Sequence, residues 1–179
     1  MARKRDKYNI SGGNMKSKNP DISIFSLDTM IDLITRRRTN YNIVSIRSSN
    51  FPDSEYSAFE EYCHNYKDII TEVFDDIESP DPGFKVVEPE QIERILNWSK
   101  VKKNIAVHCT AGISRSSAIA YLIACTRMPP AKAIRILDGT THSPNDLVLY
   151  YGIKILGNFA VYDEYLKWRR KADALPQFE

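Results

Sequence analysis

The sequence is poor in cysteine and histidine, and it has no long apolar run. Its three cysteines, Cys63, Cys109 and Cys125, cannot all pair within one chain. That excludes a disulfide-built scaffold and points to a reducing cytoplasm. The three histidines, His64, His108 and His142, stand apart from any cysteine pair or second histidine at ligand spacing. No metal and no cofactor is therefore expected. No apolar stretch approaches the roughly 18 residues of a membrane span, and none resembles the core of a secretory leader, so no membrane partner is expected. A formal net charge of +2 is too small to imply a specific nucleic-acid partner. Internal repeats and low-complexity blocks are also missing.

What remains has the balance of one globular domain. The 179 residues are 42% hydrophobic and 27% charged, enough apolar material for a sizeable core. The positive excess is local. Arg3, Lys4, Arg5, Lys7, Lys16 and Lys18 lie among Ser, Gly and Asn before the first apolar run, which predicts a mobile basic arm over residues 1–20. A domain over residues 21–171 and a fraying tail over 172–179 complete the division.

Strand and helix patterns alternate along the domain. Ile22, Ile24 and Phe25 predict a first strand. Leu27, Met30, Ile31 and Ile34 repeat at helical spacing, with Ser26 or Asp28 as caps and the basic run Arg36–Arg38 at the end. A second strand is expected over Tyr41–Ile46. A weak helical stretch follows over Asp53–Asn65, with Phe59, Tyr62 and Cys63 turned inward. Ile69, Ile70, Val73 and Phe74 predict a third strand. Two prolines and Gly83 then mark a loop. Pro89 opens a helix with Ile92, Ile95 and Leu96 on its apolar face and Glu90–Arg94 as an i,i+4 pair. Lys102, Lys103 and Asn104 turn the chain into a further strand. Later helices are expected from Pro129, from the Ser143-Pro144-Asn145 start, and from Phe159, with a break at Gly157. Phe159, Val161, Tyr162, Tyr165, Leu166 and Trp168 read as core positions. The alternation predicts an α/β fold, a central mostly parallel sheet flanked by helices.

The stretch Ile105–Ala118, IAVHCTAGISRSSA, carries the chemistry. A short apolar strand runs directly into Cys109. Small residues with Gly112 among them follow, then Arg115 and an apolar helix. A strand, a tight loop and a helix start form an anion site, because backbone N–H groups and the positive helix end face one point. Arg115 adds a planar donor pair matched to two phosphate oxygens. Cys109 sits where the same field favours the ionised sulfur.

His108, Cys109, five residues, Arg115 and Ser116 resemble the signature loop of the cysteine-dependent tyrosine and dual-specificity phosphatases. The likeness is strong from Asp76 to Thr126 and extends in outline from Ile24 to Arg169. It implies a single-domain tyrosine-phosphatase-like fold and a phosphorylated protein or peptide as substrate. It also implies roles. Cys109 would be the nucleophile, and the backbone of Thr110, Ala111, Gly112, Ile113 and Ser114 would hold the phosphate together with Arg115. His108 would support the loop, and Ser116 would donate to the sulfur. The general acid of such families is an Asp on a loop after a strand, some 30 residues or more before the cysteine. Asp76 lies 33 positions before Cys109 and is favoured; Asp75 and Asp81 are alternatives. Asn145, in Ser-Pro-Asn, resembles an asparagine that braces the site in the dual-specificity group.

The Trp-Pro-Asp loop of the larger tyrosine phosphatases is replaced here by Phe74-Asp75-Asp76-Ile77, so the likeness is to compact dual-specificity and small microbial enzymes. The loop positions Thr110 to Ser114 carry no Lys or Arg, which argues against a polyphosphorylated lipid. Two other readings stay open at this level. One is a phosphate-binding module without catalysis. The other is a cysteine-dependent sulfurtransferase or an arsenate reductase; the arsenate reductase would need a further thiol near Cys109, from Cys63 or Cys125.

Overall fold

The computed structural model describes residues 21–36 and 40–175. The basic arm over residues 1–20, Arg37, Arg38 and the last four residues lie outside them. Four strands form one sheet: β1 (Ile22–Ser26), β2 (Asn42–Arg47), β3 (Asp68–Val73) and β4 (Ile105–Cys109). Their spatial order is β1-β4-β2-β3, and every pair is parallel. β4 is central, with Ser26 opposite Cys109 on one side and Ser45 opposite His108 on the other. All five β4 residues are buried. A strand covered on both faces reads as continuous rather than alternating apolar sequence, which is why Ile105–Val107 looked like a buried run.

Helices cover both faces. α1 (Leu27–Arg36) and the short α2 (Ser57–Glu61) lie on one side, where Leu27, Met30, Ile34, Tyr56 and Phe59 pack against Ile43 and Ala106. Ser26 caps α1, its Oγ accepting from Thr29 N at 3.2 Å. The opposite side carries α3 (Pro89–Ser99), α4 (Arg115–Cys125), α5 (Pro130–Ala133), α6 (Asp146–Leu156) and α7 (Ala160–Asp173). α4 is the inner helix. Ten of its eleven residues are buried between the sheet and α3 and α6, and after its polar first turn it is mostly apolar all round. Among the described residues no helix is long and apolar enough to cross a membrane.

Several sequence expectations change. The stretch after β2 is not one helix. 3₁₀ turns at Asp53–Tyr56 and Cys63–Asn65 flank α2, and Cys63 is exposed rather than in the core. Too few apolar residues are available there to hold a longer helix in place. Arg94 does not pair with Glu90. It reaches across to β3, where its Nε and Nη2 donate to the Glu72 carboxylate at 2.7 and 2.9 Å, and Gln91 Nε2 donates to the same group at 3.0 Å. A fixed bidentate partner wins over a flexible neighbour on the same helix. Phe159 and Tyr162 are 79% and 46% exposed, whereas Val161 and Tyr165 are buried. α7 presents only one stripe to the core, and these two rings fall outside it. α7 also continues to Asp173, two residues past the expected boundary. Gly157 does end α6, in the left-handed conformation (φ 61°) that closes a helix.

His108 is fully buried, stacked on Phe59 with ring centroids 5.1 Å apart. Neither ring nitrogen has a hydrogen-bond partner among the described residues, so the ring is held by packing. Burial pushes its pKa down to about 3; the adjacent Cys109 backbone opposes the shift, while Arg47 and Arg115 add to it. The unfolded chain therefore binds a proton at His108 that the folded chain refuses between about pH 6.5 and 3.

Two outcomes follow from this packing. Stability measured by urea unfolding will fall as pH drops from 7 to 5, by up to about 1.4 kcal/mol per pH unit from this one residue. His108→Asn, whatever its own stability, will show a flatter slope over that window; an unchanged slope would contradict the assignment. Gly152 on α6 faces the buried Leu122 of α4, and an added Cβ would lie 2.2 Å from Leu122 Cδ1. Gly152→Ala should lose about 1–3 kcal/mol to overpacking, against the gain of up to about 1 kcal/mol that Ala brings to a helix. A raised denaturation midpoint would show that α4 and α6 can part to accept it.

Candidate active site

The link between β4 and α4 folds around one atom. Three of its carbonyls turn outward: Thr110 O accepts from Leu27 N at 3.1 Å, Ile113 O from Ser143 N at 3.1 Å and Ser114 O from Ala118 N at 3.1 Å. Ser117 Oγ bonds to Ile113 O and, at 2.8 Å, to Ser114 O. Gly112 N–H turns inward and meets Cys109 Sγ at 3.3 Å. Ser116 Oγ lies 3.2 Å from the same sulfur, which is 2% exposed. Gly112 has φ 76°, and a Cβ there would lie 2.7 Å from Phe25 C and Ser26 N of the neighbouring strand. Only glycine fits both the angle and the space. Ala111 and Ile113 are exposed on the outer rim, and Thr110 and Ser114 are half-buried. The first turn of α4 aims its positive end at the ring so formed.

Arg115 opens α4 and is only 4% exposed. Its Nη1 donates to Phe74 O at 2.8 Å and Ser48 Oγ at 2.9 Å, and Nη2 to Thr110 Oγ1 at 3.3 Å. Nε is buried with no partner. The scaffold thus holds one end of the guanidinium and leaves Nε unpaired inside the protein. A buried, partly unsatisfied cation is costly unless an anion completes it.

The two adjacent aspartates differ sharply. Asp75 is buried, and its carboxylate accepts from Ser49 N at 3.0 Å, Lys85 N at 2.7 Å and Ser49 Oγ. Burial pushes its pKa up, but these bonds and the Arg115 charge outweigh burial, so the net shift is downward. Asp75 is a fixed, ionised brace between loops. Asp76 is exposed, and its Oδ1 accepts from Ser114 Oγ at 2.7 Å and Asn145 Nδ2 at 2.9 Å. Asp76 is therefore docked on the loop that holds Cys109, while Oδ2 takes no hydrogen bond among the described residues. Asn145 Oδ1 accepts from Val148 N at 3.0 Å and so caps α6. Asp81 is exposed in a turn closed by Phe84 N to Asp81 O, 3.1 Å.

Neither of the other cysteines is bonded to Cys109. Cys125 closes α4, ten positions after Arg115, about 15 Å along the helix. Burial raises its thiol pKa to about 12, with Tyr121 opposing. Cys63 is exposed, and all three thiols are free. Among the described residues no group of three His, Cys, Asp or Glu side chains is placed to hold a metal.

The sequence reading missed Ser48, Ser49 and the Phe74 carbonyl. A positional signal for them exists. They follow β2 and β3, whose C-terminal ends lie beside that of β4 in a parallel sheet, where sites form.

No protein-family model matches the sequence, and no curated protein matches it. Solved structures do. PTPMT1 in complex with PI(5)P aligns with a TM-score of 0.50 at 12% identity, covering 76% of this chain and 92% of that one. The Yvh1 phosphatase domain from Chaetomium thermophilum aligns with a TM-score of 0.47 at 19% identity, covering 79% and 94%. With the all-parallel order β1-β4-β2-β3 and the Cys109–Arg115 loop at its centre, the chain has the fold of the cysteine-dependent tyrosine and dual-specificity phosphatases.

Proposed function

We propose that this protein is a metal-independent phosphoprotein phosphatase that hydrolyses phosphotyrosine through a cysteinyl-phosphate intermediate, with phosphoserine and phosphothreonine as the alternative substrates. The observation that carries the reading is the convergence on Cys109 Sγ of the Gly112 N–H at 3.3 Å and the Ser116 hydroxyl at 3.2 Å. Both groups can donate to a sulfur anion, and neither has another evident purpose.

In this account the Cys109 thiolate attacks phosphorus and the P–O bond to the leaving group breaks. Asp76 gives its proton to the departing oxygen as the S–P bond forms. The loop amides from Thr110 to Ser114 and the Arg115 guanidinium hold the three equatorial oxygens. Water then attacks phosphorus, Asp76 takes one of its protons, and the S–P bond breaks to return the thiolate. Ser116 donates to the sulfur as it leaves. His108 keeps the end of β4 in place by packing, and Asn145 holds the carboxylate of Asp76.

The docking of Asp76 on Ser114 and Asn145 favours it over Asp75 and Asp81 as the acid. Asp75 is consumed by Ser49 and Lys85. The same docking speaks against a binding module without catalysis. The place of Cys125 at the far end of α4 speaks against its serving as the second thiol of an arsenate reductase. PI(5)P is bound by the PTPMT1 structure, whereas Thr110 to Ser114 here offer no cation for a second phosphate. The phosphorylated protein therefore remains the preferred substrate. A cytoplasmic location fits three unpaired thiols.

The test is hydrolysis of phenyl phosphate, a phosphotyrosyl peptide and PI(5)P in EDTA with a reductant. Wild type should turn over the first two, and Cys109→Ser neither. Asp76→Asn should lose about 10²–10⁴-fold on phenyl phosphate, together with the decline in rate toward high pH that loss of the acid's proton causes. Arg115→Lys keeps the charge without the fork and should lose about 10²–10³-fold. Binding of phosphopeptide without turnover would replace this reading with a recognition domain, and turnover of PI(5)P alone would move the substrate to a lipid.

A further inference from the structure

We propose that Glu78 is a positioning residue, which fixes Asp76 over the phosphate loop by binding the first N–H of α6. The proposal rests on the phosphatase reading above.

The segment between β3 and α3 is a long loop with Pro80, Pro82 and the left-handed Gly83. Such a loop stays in place only where it is tied. On the upstream side of Asp76 the tie is Asp75, whose N–H donates to Lys85 O at 2.7 Å and whose carboxylate holds Ser49 and Lys85. On the downstream side the nearest tie is Glu78, whose Oε1 accepts from Asp146 N at 2.9 Å, with Asn50 Nδ2 donating to Gly83 O further along at 2.9 Å. Asp76 is thus bracketed.

The two contacts form one dock. Asp76 binds the Asn145 side chain and Glu78 binds the next backbone N–H, so both carboxylates seat on two successive residues at the start of α6. That start is itself rigid. Asn145 caps the helix through Val148 N. The Asp146 carboxylate accepts from Tyr165 Oη at 2.8 Å and Arg169 Nη1 at 2.6 Å, which joins the start of α6 to α7. A carboxylate at the positive end of an 11-residue helix is in a favourable field.

The fold does not need this bond. Glu78 is exposed, and a first-turn N–H of a helix can be satisfied by water. Asp76 needs it more. Its two bonds fix one oxygen only, and the transferred proton must be delivered from a defined place on the other. Glu78 touches neither sulfur nor phosphate. It acts through Asp76 alone.

The test uses kcat/KM, which reports the steps through P–O cleavage, for two aryl phosphates on the full chain. Phenyl phosphate needs a proton on its leaving oxygen, whereas dinitrophenyl phosphate expels a stable phenolate without one. Glu78→Ala should lower kcat/KM for phenyl phosphate by about three- to tenfold, the factor one net hydrogen bond sets, and leave dinitrophenyl phosphate within about twofold. Glu78→Gln keeps the acceptor oxygen and should recover most of the loss. In an Asp76→Asn background the Ala change should add nothing. Equal effects on both substrates, or the same loss without Asp76, would overturn the proposal and leave the phosphatase reading standing. Absence of Cys109-dependent turnover in the wild type would remove both.

Discussion

No side chain fits where Gly112 passes Phe25 and Ser26, and the site depends on that contact. It lets the loop after β4 close tightly enough for the Gly112 N–H to reach Cys109 Sγ. The carbonyls of Thr110, Ile113 and Ser114 point outward and find partners on α1, on α4 and in the segment before α6. This arrangement brings the Gly112 N–H and a helix start to one point, with no basic side chain among Thr110 to Ser114. The parallel sheet supplies the rest. β4 is its inner strand, so the C-terminal ends of β1 and β2 stand on either side of Cys109.

Around that ring, short polar ties hold the groups that would act on a phosphate. Phe74 O and Ser48 fix Arg115, Asp75 fixes the loop carrying Ser49, and Asn145 with Ser114 fixes Asp76. Most of these partners are backbone atoms or small side chains, so their positions follow from the strands and helices that carry them. The two aspartates show how environment divides identical chemistry. One is buried among donors and held ionised, and its neighbour has one oxygen held and the other uncommitted.

The parallel alternation and the central strand were legible because buried strands and helix faces leave periodic apolar marks. The glycine and arginine of the loop were legible as parts of a tight anion site, and Cys109 and Ser116 through the resemblance to the phosphatase signature. Arg94 was misassigned to Glu90 because local spacing cannot see Glu72 on β3. Cys63, Phe159 and Tyr162 were misplaced because hydrophobic character alone does not decide which stripe of a short or surface helix faces in. Ser48 and Ser49 were invisible for a different reason: their importance comes from lying beside β4, a relation set by strand order rather than by sequence neighbours.

The most direct measurement of the central claim is to trap the intermediate. Ser116→Ala should slow the departure of sulfur more than its phosphorylation, so a rapid acid quench during turnover of a phosphotyrosyl peptide will load the enzyme with phosphate. Mass spectrometry of the digest is expected to place that phosphate on Cys109. Turnover with no phosphorylated enzyme, or phosphate on any other residue, would contradict the account.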